Sequence, residues 1–205
     1  MSGLRKLQRR KREQAILAAA EALFSEHGYS ATNVEQVAAR AEVGVATIYK
    51  YFGSKTGLIR ELFRTEIEEL RLAGENVLAT PDADPATGMA RLIAQYRFGE
   101  RWQHRDLYLE IASLNWGYAK VFRGLRERID ELVCTQIEAL VRHYANQGLM
   151  PRGLPPADVS AVLYAIHTFH LQEWALRKNV SLARTRRDIR RQVLATFRAW
   201  TVPPT

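Results

Sequence analysis

The sequence of 205 residues has little of several features that define large classes of protein. Cys134 is the only cysteine, so an internal disulfide and a zinc site built from several thiolates are excluded. No uninterrupted apolar run approaches the roughly 20 residues that cross a bilayer. Residues 5–12 are highly charged and no purely apolar segment follows them, which argues against a signal peptide. We therefore expect a soluble, cytoplasmic protein that makes no membrane contact.

The chain also lacks the short motifs of the common enzyme classes. It has no HExxH, no GxSxG, no phosphate-binding glycine loop and no carboxylate pair of obvious catalytic geometry. We predict that the protein is not an enzyme, has no catalytic residues and carries no cofactor.

Strand patterns are nearly absent as well, because Val, Ile and aromatic residues seldom alternate with polar ones. Apolar residues instead recur at the three- and four-residue spacing of helices, which predicts an all-α protein. Two domains are expected, at residues 1–54 and 55–205. The predicted helices cover about 11–27, 32–40, 45–52, 55–78, 85–103, 107–114, 119–147, 156–177 and 182–200.

Positive charge is plentiful, with a net charge of +8 and a pI near 9.9. Residues 1–60 contain ten Lys and Arg against five Glu, and six of the ten lie within residues 5–12. A second basic cluster covers residues 177–198. This charge suits a polyanionic partner, although solubility alone can also require it.

Residues 32–55 have the pattern of two short helices joined by a tight turn. Thr32 and Glu35 fit a capping box at the start of the first helix. In the second, Ile48 and Phe52 face inward one turn apart. A short exposed helix fits the major groove of double-stranded DNA, and small residues at its start allow a close approach to the bases. The predicted reading residues are Val45, Ala46, Thr47, Tyr49 and Lys50.

Other polar residues of this region are expected to contact the DNA backbone. Tyr51 carries a hydroxyl on a rigid ring, and Lys55 and the helix N-terminus at Thr32 supply donors for phosphates. Arg9 and Arg10 precede the core of the first helix and could follow the backbone or enter the minor groove.

Residues 13–62 resemble the N-terminal domain of the tetracycline-repressor (TetR) family of bacterial transcriptional regulators. Two positions depart from the family's pattern, because Glu42 stands where glycine is frequent in the turn, and Gly44 where Ser or Thr is frequent. The matching residues are Ile16, Ala19, Ala20, Leu23, Phe24, Gly28, Tyr29, Thr32, Val34, Ile48, Tyr49, Tyr51, Phe52, Ser54, Lys55 and Leu58.

The resemblance implies a helix-turn-helix domain followed by a helical effector-binding and dimerisation domain. The implied function is that of a repressor released from a palindromic operator by a small molecule. A homodimer through the last two helices is expected, and both of those helices carry wide apolar stripes. The effector is expected to be small and hydrophobic or aromatic. The candidate effector-binding residues are Trp102, Tyr108, Trp116, Tyr118, Phe122, His167, His170 and Trp174.

Other interpretations stay open at this point. A helical enzyme or carrier with an incidental basic N-terminus would act on a metabolite without binding DNA. A non-specific nucleoid-type protein would bind all sequences alike, with the same salt dependence. His167, His170 and Glu173 are spaced by threes, but such steps drift around a helix, so no metal site is predicted.

Overall fold

The computed structural model describes residues 2–96, 109, 120–151 and 153–201, without the side chains of residues 2, 120–123 and 126. These residues form eight α-helices and no strand, which confirms the predicted all-α class. Of the helix predicted over residues 107–114, only residue 109 is described. The helices are α1 (Ser2–His27), α2 (Val34–Arg40), α3 (Val45–Phe52), α4 (Lys55–Ala79), α5 (Pro85–Ile93), α6 (Lys120–Asn146), α7 (Pro156–Leu176) and α8 (Leu182–Trp200).

The first three helices form around a small apolar core. Helix α1 packs against α2, and α2 packs against α3. Ile16 and Phe24 on α1, Val37 on α2 and Ile48 on α3 are each fully buried. Gly28 ends α1 at a φ of 86°, a left-handed conformation that costs glycine little. The apolar spacing of these helices therefore sets their inner faces, as predicted.

Helix α1 begins at Ser2, so the predicted start at Lys11 is wrong by nine residues. Residues 5–12 consist of Arg, Lys, Gln and Leu, which all favour helix, and no proline or glycine separates them from the buried part of α1. The basic segment is therefore a solvent-exposed extension of α1 rather than a separate arm.

Helix α5 begins as predicted and ends earlier. The Asp84 side chain caps its N-terminus by accepting a hydrogen bond from the Thr87 N–H at 3.0 Å, and Pro85 is its first residue. Hydrogen bonds from Thr87 hold the pKa of the Asp84 carboxyl below its usual range. The helix ends at Ile93, so the predicted extension to residue 103 is wrong within the described residues.

The second core lies where α8 packs against α5 and α7. Ile189, Val193 and Phe197 recur at four-residue spacing on α8 and are buried. The bounds of α8 match the prediction, and those of α7 match it to one residue. Other residues of this core are Met89, Leu92, Ile93, Ile137, Leu140, Val141 and Leu163.

The chain divides into two compact units, and the division falls within α4. The first unit holds the chain up to Glu66 together with the start of α6 as far as Leu125. The second holds the chain from Ile67 to the end of the described stretch at Tyr96, and the residues from Arg126 onward. The predicted domain boundary after residue 54 stays a prediction; residues 55–66 of α4 belong to the first compact unit.

Candidate nucleic-acid interface

The turn between α2 and α3 is a Schellman motif with an unusual residue in it. The Val43 N–H donates to the Ala38 carbonyl at 3.0 Å, and the Glu42 N–H donates to the Ala39 carbonyl at 3.3 Å. Glu42 has a φ of 53°, in the left-handed region that glycine favours. This chain therefore keeps the tight turn without the glycine, at a local conformational cost.

The N-terminus of α2 is capped by a residue that the sequence analysis missed. Asn33 is the N-cap, and its side chain accepts from the Gln36 N–H at 2.8 Å. The Gln36 side chain accepts in return from the Asn33 N–H at 2.8 Å, which completes a capping box. The box predicted from Thr32 and Glu35 is therefore wrong by one position. Asn and Gln satisfy the same rule as Thr and Glu, so the sequence alone left two alternatives one residue apart.

Thr32 is consequently a structural residue. Its side chain is 1% exposed, and its hydroxyl is within hydrogen-bond distance of two carbonyls, those of Gly28 at 2.8 Å and Leu23 at 3.2 Å. Its N–H donates to the Tyr29 carbonyl at 3.3 Å. The predicted contact of Thr32 with DNA stays a prediction, and it requires these donors to exchange the carbonyls that hold the end of α1 against the start of α2.

Helix α3 presents a small, polar surface above a buried residue. Ile48 is fully buried, whereas Ala46, Tyr49 and Lys50 are exposed, and Tyr49 keeps 49% of its surface accessible. Val45 and Thr47 lie at the edge and are half-buried. The five predicted reading residues are therefore all at least partly accessible, with a methyl group, a hydroxyl and an ammonium among the exposed ones.

Gly44 precedes α3 as its N-cap and makes no side-chain hydrogen bond. Its φ of −71° and ψ of 142° suit any residue, and a Cβ there would meet only the Thr47 hydroxyl, at 3.9 Å. The bare backbone leaves the first turn of α3 open to a close approach. Gly44 also leaves the helix N-terminus without a side-chain cap, because Ser or Thr at this position would accept a hydrogen bond from an N–H group of the first turn.

The basic extension of α1 contacts the end of α3 through Arg9. The Arg9 guanidinium lies 5.5 Å from the centre of the Tyr51 ring and donates to the Glu13 carboxylate at 2.9 Å. This hydrogen bond raises the pKa of Arg9. Tyr51 is half-buried, and its ring also meets the edge of Phe52 at 6.3 Å. Arg10 is exposed beside them. The structure thus places Arg9, Arg10 and Tyr51 together.

Lys55 is held within the protein. Its ammonium donates to the carbonyls of Tyr29 and Thr32, each at 3.0 Å, and of Ser30 at 3.4 Å. It also lies 4.4 Å from the centre of the Tyr29 ring. These contacts fix the loop between α1 and α2 onto the start of α4. The predicted contact of Lys55 with phosphate stays a prediction, and it requires the ammonium to exchange at least one of these carbonyls.

The start of α4 is fixed close to the end of α3. The Ser54 hydroxyl accepts from the Gly57 N–H at 3.0 Å and so caps the start of α4. A Cβ at Gly57 would lie 1.8 Å from the Phe52 carbonyl oxygen, so only glycine allows this approach. Helix α3 is therefore held at both ends, by the Schellman turn before it and by Gly57 after it.

Three of the eight candidate effector residues are fully described. His167 and Trp174 are 6% and 4% exposed, and His170 is half-buried, with a buried Nε2 that has no hydrogen-bond partner among the described residues. The side chain of Phe122 lies outside the described residues, as do Trp102, Tyr108, Trp116 and Tyr118. Within the described ranges, no group of three His, Cys, Asp or Glu residues could hold a metal ion. In the same ranges, no helix is long and apolar enough to span a membrane.

The part of the chain that holds this site is similar to bacterial regulatory proteins. Residues 16–62 match the family model for bacterial regulatory proteins of the tetR family. The transcriptional repressor KstR of Rhodococcus jostii is 37% identical over 86 residues, which cover 42% of this chain and 39% of KstR. The chain therefore aligns with about two fifths of the length of this curated relative.

Solved structures resemble a much larger part of the chain. The TetR family transcriptional regulator PfmR from Thermus thermophilus has a TM-score of 0.63 at 25% identity, over 89% of this chain and 97% of PfmR. SmeT, the repressor of the Stenotrophomonas maltophilia multidrug efflux pump SmeDEF, has a TM-score of 0.72 at 20% identity, over 93% of this chain and 91% of SmeT. At 20% identity the likeness to SmeT is one of fold alone.

Proposed function

We propose that this chain, whose residues 16–62 match the family model for bacterial regulatory proteins of the tetR family, is a sequence-specific transcriptional repressor that a small molecule releases from its operator. The observation that carries the proposal is the outer face of α3. Ala46, Tyr49 and Lys50 are exposed on a helix that the buried Ile48 fixes to the rest of the unit. A short helix held in this way is what reading the major groove requires.

The exposed groups divide into reading and positioning roles. The methyl groups of Val45 and Ala46 suit a thymine methyl, and Thr47 and Lys50 can hydrogen-bond base edges or phosphates. The Tyr49 and Tyr51 hydroxyls reach toward flanking phosphates. Arg9 and Arg10, on the extension of α1, add positive charge beside Tyr51. The site as a whole therefore offers groups that can read base edges and groups that attract the phosphate backbone of DNA.

The protein acts as a homodimer in this proposal, with α7 at the centre of the interface. The outer face of α7 carries apolar side chains in the second unit, and Val162, Phe169 and Leu176 are 42%, 55% and 69% exposed. Ala161, just before Val162, and Ala165, between Val162 and Phe169, are also exposed. A second copy would cover this stripe, and a two-fold dimer would offer two α3 helices to half-sites about 34–36 Å apart or a multiple of that distance.

A small hydrophobic or aromatic effector acts on the second unit in this proposal. Its binding would shift α4, which runs from Lys55 in the first unit to Ala79 in the second. Such a shift would change the separation of the two reading helices and so release the operator. Support comes from the family resemblance and from the aromatic-rich composition of residues 102–122.

Selection of bound duplexes from a random pool tests the proposed function. A palindromic consensus sequence is the expected result, because two copies of one reading helix are related by a two-fold axis. Competition with unrelated duplexes at several salt concentrations then separates specific from non-specific binding. Equal enrichment of every sequence would favour the nucleoid-type alternative, and no retained DNA at low salt would favour a carrier or an enzyme.

A further inference from the structure

A buried carboxamide joins three segments of the second unit. Gln136 on α6 is 4% exposed, and its Nε2 donates to the Arg71 carbonyl of α4 at 2.9 Å. Its Oε1 accepts from the Tyr96 hydroxyl at 3.1 Å. Tyr96 is 3% exposed, and burial raises the pKa of its hydroxyl, so the hydroxyl remains a donor. The oxygen and the nitrogen of the Gln136 carboxamide thus each make a hydrogen bond.

Helix α4 is shaped to receive this side chain. A Cβ at Gly74 would lie 2.0 Å from the Gln136 Oε1 and 2.5 Å from its Nε2. Any side chain at position 74 would therefore displace the carboxamide from the Arg71 carbonyl. Glycine is unfavourable within a helix, and the approach of Gln136 gives a physical reason for its presence in the middle of α4.

The same network continues to α7. His167 is 6% exposed, and its Nε2 lies 2.8 Å from the Tyr96 carbonyl, to which it donates. The rings of Tyr96 and His167 meet edge to face at 6.3 Å. A continuous chain of buried hydrogen bonds therefore runs from α4 through Gln136 and Tyr96 to α7, the helix of the proposed dimer interface.

We propose that Gln136 is a positioning residue that holds α4 in the DNA-binding arrangement and couples that arrangement to α7. This inference rests on the proposed function. A buried carboxamide has few alternative partners, so a shift of α4 relative to α6 breaks the hydrogen bond from Gln136 to the Arg71 carbonyl rather than stretching it gradually. The network thus gives α4 one preferred position. Loss of the network releases α4, which runs into the first unit, where α3 lies.

A second buried pair on α6 supplies a matched control. Tyr144 is fully buried, its hydroxyl donates to the Asp82 carbonyl at 3.0 Å, and a Cβ at Gly88 would lie 1.9 Å from that hydroxyl. This pair has the same construction as Gln136 over Gly74. Its hydrogen bond, however, ends on the segment before α5 rather than on α4.

The test compares full-length variants in hydrogen exchange, thermal unfolding and affinity for the selected duplex well below the unfolding temperature. For Gln136→Leu we expect faster exchange of the amides of residues 72–79, with those of α2 and α3 unchanged, and an operator affinity about ten-fold lower. For Tyr144→Phe we expect a lower unfolding temperature but wild-type exchange in α4 and an operator affinity within about two-fold of wild type.

Gly74→Ala provides an independent test, because this substitution lies on α4 and its Cβ would displace the Gln136 carboxamide. It should weaken operator binding as Gln136→Leu does, whereas adding it to Gln136→Ala should cause no further loss. Additive losses would overturn the proposal, and so would unchanged exchange of residues 72–79 in Gln136→Leu. If the wild-type protein selects no sequence, the proposed function fails, and the exchange experiment still decides whether Gln136 holds α4.

Discussion

Helices α3 and α7 each leave one face exposed in the described structure, and the two faces differ in chemistry. The outer face of α3 has Ala46, Tyr49 and Lys50, whereas that of α7 has Val162 and Phe169. Both helices bury their opposite faces in a well-packed core. The difference indicates different partners, because a cationic, hydroxyl-bearing surface suits hydrated phosphates and base edges, while an exposed apolar stripe suits another protein surface.

The largest expected effect concerns the apolar face. Phe169→Asp should weaken dimerisation by more than about 100-fold, because it places a charge at the centre of the proposed interface. Sedimentation equilibrium measures the association, and circular dichroism checks that the helix content is kept. Asn179→Asp, which adds the same charge in the exposed loop after α7, is the control and should remain dimeric. A dimeric Phe169→Asp protein would place the interface elsewhere.

The polar face should give the next largest effect. Lys50→Ala and Tyr49→Ala should each reduce affinity for the selected duplex by about 1–3 kcal/mol without changing the unfolding temperature, because both side chains are exposed. Fluorescence anisotropy at fixed salt measures the affinity. Lys178→Ala removes an exposed lysine from the other unit and controls for the loss of charge. Wild-type affinity in both α3 variants would show that α3 is not the reading helix.

A variant of the buried residue Thr32 in the first unit distinguishes a structural role from a contact with DNA. Thr32→Val removes the hydroxyl that bonds to the end of α1 and should lower the free energy of unfolding by about 1–2 kcal/mol. Chemical denaturation measures this loss. Operator affinity of the folded variant should equal that of wild type, since the hydroxyl is buried. A large loss of affinity without a loss of stability would return Thr32 to the DNA surface.

The smallest effect concerns the turn before α3. Glu42→Gly should stabilise the protein by up to about 1 kcal/mol, because Glu42 has a φ of 53° and glycine has no Cβ to strain there. Gly28→Ala is the converse control, and it should destabilise the protein because φ is 86° at that position. Thermal unfolding of both variants measures the two changes. If Glu42→Gly destabilised the protein as Gly28→Ala does, the left-handed turn at Glu42 would not be strained.

The sequence predicted the helices better than their termini. The predicted bounds of α3 and α8, which followed from apolar spacing, match those of the structure. The cap of α2 was misplaced because Thr32 and Asn33 both suit that position. The start of α1 was misplaced because a run of charged residues has no apolar face, although its helix propensity is high.

Only the part of the candidate site that lies on a single helix, α3, could be predicted from the sequence. Exposure of Ala46, Tyr49 and Lys50 follows from the helical positions of Ile48 and Phe52. The contacts of Lys55 with the loop between α1 and α2, and of Gln136 with Gly74, join residues distant in sequence. Such contacts depend on how the helices pack, and periodicity along one helix carries no information about them.

A cleavage experiment tests the central claim, that α3 of each protomer lies in the major groove of one half-site. Ala46 is exposed on α3, so Ala46→Cys in a Cys134→Ser background gives a single attachment point for a DNA-cleaving iron chelate. On the selected duplex we predict two clusters of cuts, one in each half-site, separated by about 10 base pairs or a whole multiple of that number. Uniform cleavage, or cuts that do not follow the selected sequence, would contradict the claim.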